Sequence, residues 1–401
     1  MTAAATPAGP RARRARPQRY QLGKRALGVL ATGHPWIFRG LMSGAADALA
    51  DGQWLALYDG ANQLVGHGVF AAEGAIAIRV VARGPARPRG VDFAKRIDRA
   101  LGKRARLRLE TDGFRALHGE SDELPGVVVD VYGDTVVAQA YGAGLDALAR
   151  FAGRRVAKAV GAPHLVLKAA HRRVDGVEAG PRALRGQPPE LARFREGPRT
   201  LAARPLAGQK SGAFLDLRGL RRYLSRAPLA GKRVLNLFAY TGTLGQACEA
   251  AGAAHVTHVD RAADALAFAA QHHATDPARH AFIVADVFAW LKTSHGRFDA
   301  VIVDPPSMTS RIEQVPGVLA TYRRLHAAAA TRVMPDGLLV LACCTSRISR
   351  AQFRQAALAT VGTRFTLLAD LPAEADHPIG FAEADYLKVL ILIAHPERAG
   401  A

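Results

Sequence analysis

The sequence predicts an α/β chain in three parts. These are a small β barrel over residues 20–83, a central α+β unit over 84–200, and an open, mostly parallel sheet wrapped by helices over 201–398. Three observations carry that prediction. Short strand-like runs with glycine turns fill the first part. Strand-like and helical runs alternate over the last. A Pro/Gly/Arg stretch, GPARPRG (Gly84–Gly90), separates the barrel from the central unit. At 401 residues and 49% apolar content, the chain can bury several cores.

Residues 1–19 carry Arg11, Arg13, Arg14, Arg16 and Arg19 with no acid and no apolar stretch. They read as a disordered basic arm, not a secretory signal. Order begins at Tyr20. GHPWIFRG (Gly33–Gly40) sets Trp36 and Phe38 beside His34 and Arg39. WLALYD and LVGHGVF form a hairpin around a DGANQ turn, and IAIRVVAR adds a strand. Trp36 suits either the core or a base-stacking platform. Arg39 and Arg79 read as solvated charges unless the barrel binds RNA. After the linker, a basic helix over Phe93–Leu109 carries Lys95, Arg96, Arg99, Lys103, Arg104, Arg106 and Arg108. It is a surface helix, either phosphate-facing or merely solvated. GVVVDVY and TVVAQAY pair around Gly133–Asp134. A helix over Leu145–Val160 and the strand HLVLKAA complete the central unit. Residues 171–205 are weakly patterned and read as a connector with one strand pair.

From Arg204 the pattern changes. VLNLFAY, HVTHVD, FIVADV, FDAVIVD and GLLVLACC are strand-like, with helical patterns between them, notably over Ala262–His273 and Val318–Val333. RFTLLADL and YLKVLILIAH have no helix between them, which predicts an antiparallel pair at the sheet edge.

Composition narrows the function. Lysine and arginine number 54 against 34 acids, a formal charge of +20. That excess points to a polyanion, most simply nucleic acid, with a genome-wide arginine bias as the alternative. The three cysteines form no CxxC pair and there is no HExxH, so no metal site is expected. So few cysteines fit a reducing cytoplasm. No apolar run approaches the roughly 20 residues that cross a bilayer, so a soluble chain is expected.

In open α/β sheets, ligands sit beyond the carboxyl ends of the strands. The first strand ends in Phe238, Tyr240, Thr241 and Gly242, the second in Asp260 and Arg261, and the third in Asp286 and Val287. Asp260 is placed to accept the ribose hydroxyls of an adenosine ligand. Asp286 suits its adenine amino group, or else caps a helix. The first loop has Gly242 and Gly245 but no third glycine for a pyrophosphate, which favours S-adenosylmethionine over a dinucleotide. The fourth strand ends in Asp304-Pro305-Pro306. The prolines stiffen the backbone and aim the carboxylate and neighbouring carbonyls at a planar substrate. The fifth ends in Cys343 and Cys344, of which only one can face the site. A thiolate beside a methyl donor has a specific use: added to C6 of cytosine, it makes C5 nucleophilic.

These motifs carry a resemblance. GQKSGAFLDLR (Gly208–Arg218), NLFAYTGTLG, the strand ending at Asp260, DPP, the cysteine-bearing fifth strand, ADHP (Ala375–Pro378) and YLK (Tyr386–Lys388) occur in order. Residues 208–398 thereby resemble the catalytic domain of the bacterial class I 5-methylcytosine ribosomal RNA methyltransferases, a Rossmann-like fold. The segment with GHPWIFRG resembles that family's RNA-binding PUA domain. ESDELPGVVVDVYGD (Glu120–Asp134) resembles its central domain.

The resemblance implies S-adenosylmethionine as cofactor, large-subunit ribosomal RNA as partner, and Cys344, not Cys343, as nucleophile. Asp304 joins Cys344 as the candidate catalytic pair, hydrogen-bonding the base. The candidate cofactor residues are Phe238, Tyr240, Thr241, Gly242, Asp260, Arg261, Asp286, Val287 and Asp304. The candidate substrate contacts are Lys210, Pro305, Pro306, Ser307 and His377. Departures from the family are Ser307, where lysine often follows DPP, and Leu217, where glutamine usually precedes Arg218. No second cysteine follows DPP, so another base must remove the C5 proton. Methylation of another base position, such as 7-methylguanine, and a non-catalytic RNA-binding or ribosome-assembly role stay open. So does dimerisation.

Overall fold

The computed structural model describes residues 16–43, 48–169, 173–174, 177–178, 180–208, 212–309 and 311–396. Most of the basic arm, and Lys210, lie outside them.

The N-terminal part is a five-stranded sheet of Gln18–Gln21, Trp36–Phe38, Trp54–Tyr58, Leu64–Phe70 and Ile76–Arg83. Alternation in WLALY buries Leu55 and Leu57 on one face, where they meet Tyr20, Ile37 and Ile78.

The central unit has its own five-stranded sheet, Gly113–His118, Val127–Tyr132, Thr135–Ala140, His164–Ala169 and Arg182–Arg185. Helices Gly90–Lys103 and Asp146–Val160 pack on it. The first buries Phe93, Ile97, Ala100 and Leu101, a single stripe at helical spacing. It is shorter than the basic helix expected over Phe93–Leu109, because Arg104 turns inward instead of continuing the solvated face. Its guanidinium is fully buried and donates to both carboxylate oxygens of Asp122, at 2.9 and 2.6 Å. The expected connector over 171–205 is also more ordered than its pattern suggested. Arg182–Arg185 joins the central sheet, and Ala192–Glu196 pairs with Arg199–Ala203 in a hairpin that buries Ala192, Phe194 and Leu201.

The C-terminal sheet has seven strands: β1 (Arg233–Leu237), β2 (His255–Asp260), β3 (His280–Val284), β4 (Phe298–Val303), β5 (Val333–Cys343), β6 (Phe365–Leu371) and β7 (Lys388–Ala394). Their spatial order is β3-β2-β1-β4-β5-β7-β6, with β7 antiparallel between β5 and β6. Helices α1 (Thr243–Ala250), α2 (Ala263–His272), α3 (Val287–Thr293), α4 (Val315–Ala330) and α5 (Arg350–Val361) cover both faces. This is the expected Rossmann-like arrangement. The α4 helix starts earlier than the Val318–Val333 pattern implied. Pro316 sits in its first turn, where no amide donor is needed, and Val333 opens β5 instead. Among the described residues, no helix is long and apolar enough to cross a membrane.

Candidate active site

Strand order reverses between β1 and β4, and the first loop leaves β1 there. Phe238 and Tyr240 take left-handed φ values of 58° and 47°, costly for side-chain-bearing residues. Asp260 holds the turn: its Oδ2 accepts the Tyr240 amide and its Oδ1 the Ala262 amide, both at 2.8 Å. Gly242 (φ 74°) opens α1, and a Cβ there would meet the Ala269 Cβ at 2.8 Å. A Cβ on Gly245 would lie 2.2 Å from His258 Cε1. The loop is thus pressed onto β2 and α2.

Each Asp260 oxygen keeps a lone pair for a ribose hydroxyl, and the carboxylate is half-buried at the strand end. Asp286 lies two residues beyond β3, is exposed, and caps α3 by accepting the Ala289 amide at 3.0 Å. The Val287 side chain is buried in the core, so only its backbone can meet a ligand. Arg261 is exposed. Acceptors beside a loop with two glycines fit an adenosyl cofactor.

Three buried histidines brace this loop, none of them anticipated from the sequence. His273 Nδ1 donates to the Thr241 carbonyl while its Nε2 accepts the Ala202 amide at 3.0 Å. His258 Nε2 lies 2.9 Å from His280 Nδ1, and His280 Nε2 lies 3.1 Å from Glu249 Oε2. Burial pushes His258 down to about 3 and His273 to about 4, and lowers His280. The unfolded chain, with ordinary histidines near 6.5, therefore takes up protons first. Stability is present above about pH 6.5 and is lost as pH falls toward 4, by up to about 1.4 kcal/mol per pH unit for each histidine. Urea titrations from pH 7 to 4.5 check this, and His258→Gln should flatten the slope.

At the neighbouring strand ends lie the candidate catalytic residues. Asp304 follows β4 with its amide 3.5 Å from the Leu237 carbonyl. Pro305 is buried, while Pro306 and Ser307 are exposed. Cys343, the last residue of β5, is fully buried in the core. Cys344 turns the other way, partly exposed, with Sγ 3.6 Å from the Pro305 carbonyl oxygen. Thr345 ties the two loops together, its Oγ1 accepting the Met308 amide at 3.3 Å.

With this geometry in place, the family is decided by sequence comparison: the profile of S-adenosylmethionine-dependent methyltransferases matches residues 132–378. The chain belongs to that family. A PUA-like domain profile matches residues 21–83 of the methyltransferase. A protein of Deinococcus radiodurans named ribosomal RNA large subunit methyltransferase is 33% identical over 93% of this chain and 97% of its own length. The ribosomal RNA large subunit methyltransferase I of Alteromonas mediterranea is 28% identical over 89% and 94%. Among solved structures, a Streptococcus mutans protein described as an S-adenosylmethionine-dependent methyltransferase superposes with a TM-score of 0.81. It is 23% identical and covers 94% of this chain and all of its own. A second fold match, at TM-score 0.80 and 24% identity over the same shares, was solved with SAH.

A cleft between the methyltransferase sheet and the central unit adjoins the loops. One cavity of about 200 Å³ is lined by Arg115, Tyr141, Phe214, Asp216 and Tyr386. Phe214 meets Tyr240 edge-on at 5.3 Å, and Tyr386 donates to Asp216 at 2.7 Å. His377 lines a smaller cavity beside it and is itself buried. Its Nδ1 donates to Asp376 at 2.9 Å, and its ring lies 5.1 Å from His118. Asp376 is the hub of the cleft. It takes both Nη atoms of Arg218 at 2.9 Å and the Arg115 amide at 2.8 Å, while its carbonyl accepts from Arg104. Burial alone would raise the Asp376 carboxyl, but His377 and Arg218 hold it well below the usual range.

The barrel docks on the same cleft. Trp36 is neither simple core nor an open platform: Nε1 donates to Glu120 at 2.7 Å and its ring meets Phe381 at 4.7 Å. Arg79, expected to be solvated, pairs with Glu120 in the half-buried junction. His34 reaches Glu383 at 3.0 Å, and Arg347, three residues past Cys344, stacks over Phe38. Arg39 is likewise engaged, donating to the Gly74 and Ala71 carbonyls. Trp36→Ala should cost about 2 kcal/mol by emptying this junction, measured by urea denaturation.

Proposed function

We propose that this methyltransferase forms 5-methylcytosine in large-subunit ribosomal RNA, with Cys344 as nucleophile. The observation that carries the reading is Cys344 Sγ, 3.6 Å from the Pro305 carbonyl, across adjacent strand ends one strand from the Tyr240–Gly242 loop. The +20 charge and the names of the relatives support a ribosomal RNA substrate.

Bound S-adenosylmethionine supplies an electrophilic methyl group. Asp260 would accept its ribose hydroxyls, Asp286 would accept from its adenine, and the Phe238–Gly242 backbone, with Arg261 and Val287 at the rim, would shape the seat. The Cys344 thiolate adds to cytosine C6, moving the ring electrons to C5. Asp304 would hydrogen-bond N3 as negative charge develops on the ring, a role that requires the carboxyl to carry a proton or a neighbouring donor to supply one. C5 would displace the methyl group from the cofactor's sulfonium, the S–CH3 electron pair staying on sulfur as a neutral thioether, after which a base removes the C5 proton and the returning electrons expel the thiolate. Pro305, Pro306 and Ser307 frame the base, with His377 at its border, and Lys210 remains a candidate substrate contact on its sequence motif alone. Residues 20–83 and 84–200 present RNA to the 201–398 unit. Mass spectrometry of ribosomal RNA from cells with and without the protein should show one 5-methylcytosine that depends on it. Dependence of a methylated guanine instead would replace this reading.

A further inference from the structure

His273 directly follows α2 and is 2% exposed. Both ring nitrogens are engaged, by two different parts of the chain. Nε2 lies 3.0 Å from the Ala202 amide, and Nδ1 meets the Thr241 carbonyl. An amide N–H can only donate and a carbonyl can only accept. The ring is therefore neutral, with its proton on Nδ1. A second proton, on Nε2, would oppose the Ala202 N–H. Burial favours the same neutral form.

The two partners belong to different tasks. Thr241 lies between Tyr240 and Gly242, whose φ values of 47° and 74° are both left-handed. Such a turn persists only where its surroundings hold it. Asp260 holds it from the β2 side, through the Tyr240 amide. On the α2 side, Ala269 fills the space that a Gly242 side chain would need. The His273 amide bonds back to the Ala269 carbonyl at 2.8 Å, which sets its ring one turn further along, under Thr241. Ala202 belongs to the Ala192–Ala203 hairpin, a two-stranded sheet. One face of that hairpin packs Phe194 and Leu201 with Tyr132, Val137 and Val166 of the central unit. Its open edge faces the methyltransferase sheet. There the Ala202 amide goes to His273, and the Thr200 carbonyl accepts from Gln246 of α1 at 3.2 Å. One imidazole thus ties the first loop to the central unit.

We propose that His273 is a positioning residue for the cofactor. Its Nδ1 proton fixes the Thr241 carbonyl, and with it the Tyr240–Gly242 turn, in the shape that receives the adenosyl group. The Ala202 amide sets the tautomer that keeps this proton in place. This rests on the reading of Tyr240–Gly242 as the cofactor loop.

Two substitutions separate the two bonds. His273→Asn puts an amide nitrogen where Nδ1 sits and keeps the Thr241 bond. His273→Gln puts a carbonyl oxygen where Nε2 sits and keeps the Ala202 bond. Each gives up one hydrogen bond, so urea denaturation should show similar losses of stability. Affinity for SAH, by calorimetry on the full chain, should differ: within about threefold of wild type for His273→Asn and about tenfold weaker for His273→Gln. Equal losses of affinity, or none in His273→Gln, overturn the proposal. Hydrogen exchange of the wild type needs no variant. Coupling between two sites is reciprocal, so bound SAH should slow exchange of the Ala202 amide about tenfold. An Ala202 amide that SAH leaves unchanged overturns the proposal whether or not the variants fold. Tyr240–Gly242 amides that SAH leaves unchanged would sink the underlying reading instead.

Discussion

Cys344→Ala is expected to lower the methylation rate by about four orders of magnitude or more, the scale on which loss of a covalent nucleophile acts. Cofactor affinity should change little, because the proposed adenosyl seat draws on the β1, β2 and β3 ends and not on β5. Cys343→Ala is the matched control, one residue away in the chain. Its thiol is fully buried among core side chains, so it behaves as a small hydrophobe. Its loss should cost about 1 kcal/mol of stability and leave the rate within a few-fold. The contrast arises from strand geometry, since neighbouring residues at a strand end face opposite ways. Single-turnover assays with saturating cofactor, paired with urea denaturation of each variant, separate the two effects.

Arg218→Ala is expected to destabilise the chain by about 3–5 kcal/mol, because removing one partner of a buried ion pair leaves the other charge without compensation. Here the stranded group is Asp376, 0% exposed and normally gripped by both Nη atoms of Arg218. The Asp376 carboxyl is held well below its ordinary range. Its contribution is therefore present above the unfolded value near 4 and lost as pH falls below it. In Arg218→Ala that acid-dependent loss should shrink, because much of what holds the carboxylate ionised has gone. Replacing both partners with apolar residues of similar volume should recover a good part of the stability. Urea denaturation of the wild type and both variants at pH 7 and pH 4 checks sign and size.

The fold class and the candidate strand-end residues are more legible in the sequence than the buried polar packing around them. Strand-end residues announce themselves through local grammar: an apolar run, then Asp260, or Asp304 with two prolines after it. Asp286 shows why such grammar is incomplete, since its carboxylate caps α3 whatever else it contacts. The hub at Asp376 is not legible, because Arg104, Arg115 and Arg218 are distant in sequence and charged residues are ordinarily assigned to solvent. A hint is present in ADHP, where an acid and a histidine sit beside a proline with no helix or strand to explain them. Lys388, fully buried, has a clearer signal, a lone cation opening an otherwise apolar strand, LKVLILIA. Trp36 and Arg79 escape a sequence reading for a related reason. A barrel read by itself gives its edge residues to solvent, and here that edge is closed by Glu120 and Phe381 from the other two parts of the chain.

The central claim is a covalent bond between Cys344 and C6 of cytosine. The most direct measurement is trapping on ribosomal RNA that carries 5-fluorocytosine, where loss of the C5 substituent is blocked and the adduct persists. The account predicts a denaturation-resistant protein–RNA species that requires S-adenosylmethionine, maps to the Cys344 peptide and disappears in Cys344→Ala. An RNA methylated normally by Cys344→Ala, or an adduct mapping to another residue, would contradict it.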